Sequence, residues 1–240
     1  MEQDQQQQDQ VQGRDEQHAK AAPKIVLVGG EKGGTGKTTI AANIAVCLAK
    51  QGKDVLLVDT DPQGTATMWA YYRDEAQIEP RVTSIQKQGK SVAKDLTDLA
   101  TRYEYLVVDA GGRDSVELRS AMVVANVMIV PIQASSFDVW TLRQIDNLVE
   151  QVQAVRATFH APLDVRILIN RGSTNVHSKD SEMASEVVKD FQNFTLMQTE
   201  LHDRRSYRTT ATAGKSVIEG DDGKAMDEFN KLFSEIYDNG

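Results

Sequence analysis

Short apolar runs recur along the chain after residue 23, separated by longer stretches of mixed polarity. Several runs place Val, Ile and Leu at consecutive positions, which is typical of strands buried on both faces of a parallel sheet. We therefore predict a central sheet built from five such segments. They are KIVLVG (24–29), DVLLVD (54–59), YLVVD (105–109), VMIVPI (127–132) and VRILIN (165–170).

Apolar residues between these runs follow the 3.6-residue period of a helix. The clearest helical segments are 37–52, 138–155 and 222–237, and Gly52 stands where a C-terminal cap belongs. Strands that alternate with helices indicate βαβ crossovers, so we expect a single α/β domain with a mostly parallel, twisted sheet covered by helices on both faces. The expected buried helical positions are Ile40, Ile44, Cys47, Leu48, Leu142, Ile145, Leu148, Val152, Met226, Phe229, Phe233 and Ile236.

Composition divides the chain into two regions. Residues 1–22 are rich in Gln and acidic side chains and poor in apolar ones, so we expect a disordered tail there. That tail is either an arm that binds a partner or a passive extension. Residues 23–240 are expected to form the folded domain, since this length is enough for one large core.

Cysteine usage and apolar content exclude several classes of protein. Cys47 is the only cysteine, which excludes a disulfide framework and a four-cysteine metal or iron–sulfur site within one chain. No apolar run reaches the ~18–20 residues of a membrane span, and the first residues lack the apolar segment of a secretory signal. We expect a cytoplasmic protein. Its net charge of −8 leaves room for a local basic patch but not for a basic surface overall.

The stretch EKGGTGKTT (31–39) lies between a predicted strand and a predicted helix, where a phosphate-binding loop belongs. Its glycines allow backbone N–H groups to point inward, and the following helix adds its positive dipole end. Lys37 is expected to reach the β- and γ-phosphates and Thr38 to ligate Mg²⁺. Glu31 replaces the first glycine of the strict motif. The residues expected to hold the nucleotide are Gly33, Gly34, Thr35, Gly36, Lys37, Thr38 and Thr39.

Three carboxylates follow predicted strands. Asp59 and Asp61 end DVLLVDTD, and Asp109 ends YLVVD, which is typical of a Walker B strand whose carboxylate holds Mg²⁺ through water. Gly111 and Gly112 would let the backbone approach the γ-phosphate. Because ligands of parallel sheets bind at the carboxyl ends of the strands, these residues should converge on the phosphate loop.

KGGTGKTT resembles the deviant Walker A motif of the ParA/MinD superfamily, and DTDPQ resembles the second acidic motif of that family. The resemblance implies ATP and Mg²⁺ as ligands, with two ATP molecules sandwiched in a homodimer. It implies that Lys32 crosses the dimer interface to the partner's phosphates. It further implies that Asp61 positions the attacking water and that Asp59 supports the Mg²⁺, together with Thr38 and Asp109.

The same resemblance places an adenine-binding asparagine at Asn170, at the end of RILINR. Arg171 either stacks on the base or makes an ordinary ion pair. Arg113 either serves catalysis in its own subunit or forms a structural Arg–Asp turn, which is the preferred interpretation. Without an obvious strong base or arginine finger, we expect slow hydrolysis that a partner protein accelerates by inserting a cation.

Two branches of the superfamily do not fit. The nitrogenase iron protein needs more cysteines, and the MinD branch ends in a basic membrane helix, whereas the last twenty residues here carry an acidic polar face. Segments 111–142 and 200–217 resemble the small ParA type. In that type, late basic residues bind DNA without sequence preference in the ATP dimer. The matching residues are Arg204, Arg205, Arg208 and Lys215.

These resemblances predict an ATPase that drives plasmid or chromosome partition, associates with the nucleoid when ATP is bound, and is stimulated by a ParB-type partner. The alternative for the basic residues is a set of solvated charges. The alternative for the whole protein is a positioning ATPase for a carboxysome or chemoreceptor cluster, working through a cargo adaptor. An ATP-dependent amidase is the less favoured third interpretation.

Overall fold

Parallel strands form one sheet at the centre of the computed structural model, which describes residues 22–134, 139–175 and 179–238. The strand order is β3-β2-β4-β1-β5-β6-β7, and β8 pairs with the later part of β6. All recorded strand pairs are parallel. The strands are β1 (Ile25–Val28), β2 (Val55–Asp59), β3 (Thr83–Gln86), β4 (Tyr105–Asp109), β5 (Val127–Gln133), β6 (Asp164–Gly172), β7 (Thr195–Leu196) and β8 (Leu201–His202).

Helices connect the strands and cover both faces of the sheet. A short 3₁₀ turn, Val217–Glu219, precedes the last helix. In the described ranges, no helix combines the length and the apolar character that crossing a membrane requires. The helices are α1 (Lys37–Lys50), α2 (Thr65–Glu75), α3 (Val92–Ala100), α4 (Val116–Val124), α5 (Val139–Arg156), α6 (Asp180–Val188), α7 (Arg205–Thr212) and α8 (Gly223–Tyr237).

The alternation of side chains along each strand divides the core into two layers. In β1, Val26 and Val28 pack with α1, α2 and α8 on one face, whereas Ile25 and Leu27 pack with α3, α4, α5 and α6 on the other. Strands buried on both sides have no polar face, which explains the continuous apolar runs in the sequence. The predicted α/β fold with helices on both faces is confirmed.

The five predicted strands are all present, and their observed bounds lie within two residues of the predicted ones. The predicted helical core positions are buried except Met226, which is half-buried while Ala225 and Leu232 fill the interior. Strand β3 was not predicted, because its sequence TSIQ at the sheet edge is partly exposed and carries no apolar run. The tail prediction for residues 1–22 falls, except for Ala22, outside the described residues.

Candidate nucleotide site

The loop from Gly29 to Gly36 joins β1 to α1 at the carboxyl edge of the sheet. The Gly29 N–H donates to the Ile129 carbonyl, which fixes the loop entry against β5. Gly34 and Gly36 have φ angles of 76° and 93°, in the left-handed region that favours glycine. Gly36 is the N-cap of α1, where no side chain caps the helix and the first turn holds no acidic residue. The N–H groups and positive dipole end of α1 are therefore available to an anion.

Lys37 lies beneath this loop with 7% of its surface exposed. Its Nζ donates a 2.7 Å hydrogen bond to the Lys32 carbonyl. Burial lowers the pKa of Lys37, while the charges of Asp109 and Asp61 act in the opposite direction. Exchanging the neutral carbonyl for a phosphate oxygen would give this ammonium a stronger, charge-assisted bond.

Lys32 occupies different surroundings from Lys37. Lys32 is exposed, whereas Lys37 is buried. The Lys32 carbonyl accepts bonds from Lys37 Nζ and from the Thr35 hydroxyl, at 2.7 and 3.4 Å. Thus the backbone of Lys32 organises the pocket of its own chain, while the residue itself is exposed.

Thr38 and Asp109 form the candidate magnesium site. The Thr38 hydroxyl donates a 2.7 Å bond to Asp109 Oδ2. Asp109 Oδ1 is buried and has no hydrogen-bond partner in the part of the chain that the structure describes. Burial raises the pKa of Asp109 to about 7, although the Thr38 hydrogen bond acts against it. A buried carboxylate oxygen without a partner, next to a hydroxyl oxygen, fits the hard oxygen ligands that Mg²⁺ prefers.

Asp59 lies opposite Asp109 in the paired strands β2 and β4. Its Oδ1 accepts a 3.1 Å bond from the Asp61 N–H, and its Oδ2 accepts a 2.9 Å bond from the Thr67 N–H. These bonds tie the turn after β2 to the first turn of α2. The predicted contact of Asp59 with Mg²⁺ stays a prediction, and the observed contacts are those of a carboxylate that organises the turn.

Asp61, Gly111 and Gly112 lie where the loops that follow β1, β2 and β4 meet. A Cβ built on Gly111 would lie 3.4 Å from the Asp61 carboxylate, and one built on Gly112 would lie 2.9 Å from the Gly33 nitrogen and 3.1 Å from Lys37 Nζ. Any side chain at position 112 would therefore collide with the phosphate loop. The backbone at Gly112 packs closely against the phosphate loop, and Asp61 borders the pocket that contains Lys37. The approach of this backbone to the γ-phosphate stays a prediction.

Asn170 contacts the phosphate loop directly. Its Nδ2 donates a 2.7 Å bond to the Thr35 carbonyl, and the residue is buried. A Cβ on Gly36 would lie 2.5 Å from the same Nδ2. The structure thus gives Asn170 a role that the sequence did not predict, which is to hold the loop. Adenine binding by Asn170 stays a prediction.

A cavity of about 350 Å³ opens beside Asn170. It lies between the start of α1, the end of β6 and α7, next to the phosphate loop, and its size is in the range of small-ligand sites. Arg171, whose φ is 56°, lines its rim. The lining also includes Thr39, Ile40, Leu201, His202, Tyr207 and Arg208.

The four predicted DNA-contacting residues lie on or next to α7 but differ in their surroundings. Arg204 makes a bidentate ion pair with Glu228, with Nη2–Oε1 at 2.5 Å, and 18% of its side chain is exposed. Arg208 pairs with Asp203 at 2.8 Å near the surface. Arg205 and Lys215 are exposed and make no ion pair within the described ranges.

Sequence reasoning missed a buried polar network beside the site. Asn43 of α1 accepts bonds from the Ser216 hydroxyl and the Val217 N–H, at 2.6 and 2.7 Å, and donates to the Thr39 carbonyl. It ties the phosphate-loop helix to the segment that follows α7. An available signal was Asn43, a polar residue within the otherwise apolar run 40–48 of α1.

The model of the CobQ/CobB/MinD/ParA nucleotide-binding domain matches residues 26–217, which is most of the chain. The chain belongs to this family. The phosphate loop, Asp59, Asp109 and Asn170 all lie within the matched range, so the predicted membership of the ParA/MinD superfamily of P-loop proteins is confirmed.

Two curated proteins similar to this chain are named for carboxysome distribution and for chromosome partitioning. Maintenance of carboxysome distribution protein A of Halothiobacillus neapolitanus is 26% identical over 208 residues, covering 85% of this chain and 92% of that protein. Chromosome partitioning protein ParA of Caulobacter vibrioides is 23% identical over 206 residues, covering 70% of this chain and 74% of that protein.

Solved structures have the same fold and hold nucleotides. A variant of Cyanothece McdA in complex with ATP has a TM-score of 0.70 and 16% identity, and the match covers 90% of this chain and 96% of that one. MinD of Pyrococcus horikoshii with Mg-ADP has a TM-score of 0.64 and 17% identity, with 89% and 95% covered. The prediction of ATP and Mg²⁺ as ligands agrees with both the family and these complexes.

Proposed function

We propose that this member of the family is a Mg²⁺-dependent ATPase of the ParA type. The observation that carries the proposal is the convergence of Lys37, Thr38 and Asp109 at the N-terminus of α1. The ammonium is bonded to a neutral carbonyl, and Asp109 Oδ1 is buried without a partner among the described residues. A magnesium triphosphate would satisfy both groups.

Each residue then has a distinct task. Lys37 would leave the Lys32 carbonyl and bond the β- and γ-phosphates, while Thr38 and Asp109, supported by Asp59, would hold the metal ion. When bound, Mg²⁺ neutralises charge on the phosphates. Asp61 orients the attacking water, since it borders the pocket beside Gly111. The backbone of Gly112 adjoins Lys37 and is free of a side chain that would block the γ-phosphate.

The adenosine of the nucleotide would occupy the cavity next to Asn170. The cavity adjoins Thr39 and Gly36, so a phosphate chain on the loop leads into it. Asn170 already donates to Thr35, so its side-chain oxygen is the group that can meet the adenine. Arg171 lines this cavity and would stack on the base.

We propose a homodimer as the ATP-bound state. Lys32 is exposed on the phosphate loop, where a facing protomer would meet it. There its ammonium would contact the partner protomer's phosphates. ATP occupancy would then be converted into pairing of two chains.

The dimer is proposed to bind DNA without sequence preference and to act in partition, with hydrolysis stimulated by a ParB-type partner. Arg205 and Lys215 are the best placed of the four basic residues, because they are exposed. Arg208 can join them by leaving Asp203, whereas the partly buried Arg204–Glu228 pair makes Arg204 the weakest candidate. This activity would place the ATP-bound protein on the nucleoid in the cytoplasm.

A second candidate is a positioning ATPase for a protein cargo such as a carboxysome. The similarity to carboxysome distribution protein A, which spans 92% of that protein, favours it. The ATP chemistry and the DNA surface would be the same, and only the adaptor would differ. The amidase alternative is not proposed.

A DNA-binding titration tests the proposal. The protein is mixed with duplex DNA of arbitrary sequence in ADP or in a slowly hydrolysed ATP analogue, at about 50 and about 200 mM salt. Binding should require the ATP analogue. If Arg205 and Lys215 of two protomers each contact one phosphate, four contacts should lower the affinity about 150-fold between these salt concentrations.

Matched variants locate the surface. The Arg205→Ala/Lys215→Ala variant should lose most of the affinity and most of the salt dependence. Arg102→Ala removes an exposed arginine near the amino end of β4 and is the control that should bind normally. Equal, weak binding in ADP and in the ATP analogue would overturn the DNA proposal.

A further inference from the structure

Arg113 lies on the loop between β4 and α4, close to the phosphate loop. Both ends of its loop are anchored, since the Ala110 N–H donates to the Val28 carbonyl and the Ser115 hydroxyl caps α4 by accepting from Leu118. The backbone of this segment therefore has a defined position relative to the nucleotide site.

The position of Gly112 limits how far Arg113 can lie from the Lys37 ammonium, which is proposed to hold the γ-phosphate. A Cβ on Gly112 would lie 3.1 Å from Lys37 Nζ. Arg113 is the next residue, so its Cα is within about 8 Å of that amine. An extended arginine side chain spans about 7 Å from Cα to the guanidinium nitrogens. The guanidinium can thus reach a phosphoryl group that Lys37 holds in the same chain.

Asp114 is the neighbouring carboxylate with which Arg113 could form a structural ion pair, but it already pairs with Arg119. Asp114 accepts two bonds from Arg119, with Nε–Oδ1 at 2.7 Å and Nη2–Oδ2 at 2.6 Å. These bonds hold the pKa of Asp114 below its ordinary value. Arg119 also donates to Gln151, which fixes it on the outer side of the loop. The Arg–Asp turn expected from the sequence therefore forms with Arg119.

Arg113 itself is exposed and makes no hydrogen bond or ion pair in the described ranges. An exposed guanidinium that holds no carboxylate among the described residues adds little to the stability of the fold. The preceding residue, Gly112, lies directly against the phosphate loop and Lys37. The surrounding carboxylates of Asp61 and Asp109 face the pocket, where the metal and the attacking water are proposed to bind.

We propose that Arg113 is a catalytic residue of this ATPase, an arginine finger that each chain supplies to its own nucleotide. This inference rests on the proposed ATPase function. During hydrolysis the water oxygen bonds to the γ-phosphorus as the bond to the β–γ bridging oxygen breaks. The bond electrons remain on ADP, and the water proton leaves with inorganic phosphate. Arg113 donates hydrogen bonds to the transferred group throughout and neither gains nor loses a proton.

Single-turnover hydrolysis of ATP by full-length Arg113→Ala tests this role, with Arg102→Ala, at the opposite end of β4, as the control. Removing an arginine finger costs ~10³–10⁵ in kcat in strongly stimulated systems, and one positioned donor costs ~10²–10³. We expect the rate for Arg113→Ala to fall about 100-fold and that for Arg102→Ala to stay unchanged. Affinity for a slowly hydrolysed ATP analogue should remain within about threefold of wild type for both variants.

Two further readouts separate a catalytic role from a structural one. Millimolar guanidinium should restore part of the rate of Arg113→Ala and leave Arg102→Ala unaffected. Wild type should trap ADP with aluminium fluoride, whereas Arg113→Ala should bind ADP without forming the trapped complex. The thermal midpoint of Arg113→Ala should equal that of wild type, because the side chain is exposed.

The outcomes distinguish this inference from the function on which it rests. If wild type does not bind or hydrolyse ATP, the proposed function fails. If wild type is active and Arg113→Ala hydrolyses ATP at the same rate, only the inference fails. Mixed dimers of Arg113→Ala with Asp61→Ala, two variants that both keep Lys37, test the assignment within one chain. Each site in them lacks either its own Arg113 or its own Asp61, so recovery of turnover in the mixture would overturn that assignment.

Discussion

Arg73 of α2 and Glu219 of the 3₁₀ turn make a bidentate ion pair in the interior, with two N–O distances of 2.8 Å. The Arg73 side chain is 1% exposed and that of Glu219 is 8% exposed. Arg73 also donates to the carbonyls of Pro80 and Gly214. The pair therefore joins the helix that follows Asp59 and Asp61 to the segment that follows α7.

Removing one partner of this pair should destabilise the fold strongly. Glu219→Leu leaves the buried Arg73 without its counterion, which costs about 3–5 kcal/mol of unfolding free energy. Arg73→Met leaves Glu219 with the longer ion pair to Lys50, at 3.6 Å, and should also be strongly destabilising. The double variant Arg73→Met/Glu219→Leu should recover much of that loss. Urea unfolding measures both the loss of unfolding free energy in the single variants and its recovery in the double variant.

The exposed pair Arg81–Asp74 provides the control for the same helix, since its side chains are 66% and 53% exposed. Arg81→Ala should cost less than about 1 kcal/mol. Equal losses in Arg81→Ala and Arg73→Met would contradict the importance of burial.

The same pair predicts a pH dependence of stability. Burial by itself would raise the pKa of Glu219, but hydrogen bonds from Arg73 and from the Ser216 N–H hold it below its ordinary value of 4.5. A carboxyl group whose pKa is lower in the folded state stabilises the protein fully above the unfolded pKa. This contribution is lost as the pH falls below about 4.5 and through the folded value.

Urea unfolding of wild type and Glu219→Gln between about pH 7 and about pH 3 measures this contribution. The free-energy difference between the two proteins should be constant above about pH 5 and shrink toward the acid end. A difference that stays constant over the whole range would show that Glu219 does not titrate differently on folding.

Gly36 should not tolerate a side chain. Alanine there must adopt a φ of 93°, which costs about 1–2 kcal/mol, and its Cβ would meet Asn170 Nδ2 at 2.5 Å. We expect Gly36→Ala to lower the urea midpoint and to weaken binding of an ATP analogue at least about tenfold. Asn170→Ala in the same chain should relieve the clash but not the backbone strain, so the stability of the double variant should recover only in part.

Gly33→Ala is the matched control for stability, because a Cβ there meets nothing within 4 Å. Its urea midpoint should match that of wild type. A Gly36→Ala protein as stable as Gly33→Ala would contradict the close contact between the loop and Asn170.

The two lysines of the loop should separate nucleotide binding from dimerisation. Lys32→Ala keeps the backbone carbonyl that Lys37 contacts, so affinity for the ATP analogue should stay within about threefold of wild type, which is under about 1 kcal/mol. If the Lys32 ammonium completes the partner's pocket, the same variant should remain a monomer with the analogue, whereas wild type dimerises. Light scattering after size exclusion gives the masses.

Lys37→Ala is the comparison for this experiment. It removes the buried ammonium, so it should bind the analogue poorly and therefore also remain a monomer. A Lys32→Ala protein that dimerises with the analogue as wild type does would remove the role proposed for that side chain.

The sequence alone determined the five buried strands and the phosphate loop of this protein. Sheet strands buried on both faces require consecutive apolar residues, and a loop that wraps phosphate requires glycines such as Gly34 and Gly36 at fixed spacing. Both constraints act on neighbours in the chain, so they leave a local pattern. Asp59 and Asp109 were located for the same reason, since each directly ends an apolar run.

Only the tertiary structure decided which distant side chains meet. Asn170 holds the Thr35 carbonyl, Arg73 pairs with Glu219, and Arg204 pairs with Glu228. Each of these contacts joins segments that are far apart in sequence or separated by a turn, and the burial that makes them strong exists only once the helices pack on the sheet. The sequence showed a basic cluster near α7, but which of its charges are already neutralised depends on α8 and on the fold that brings it there.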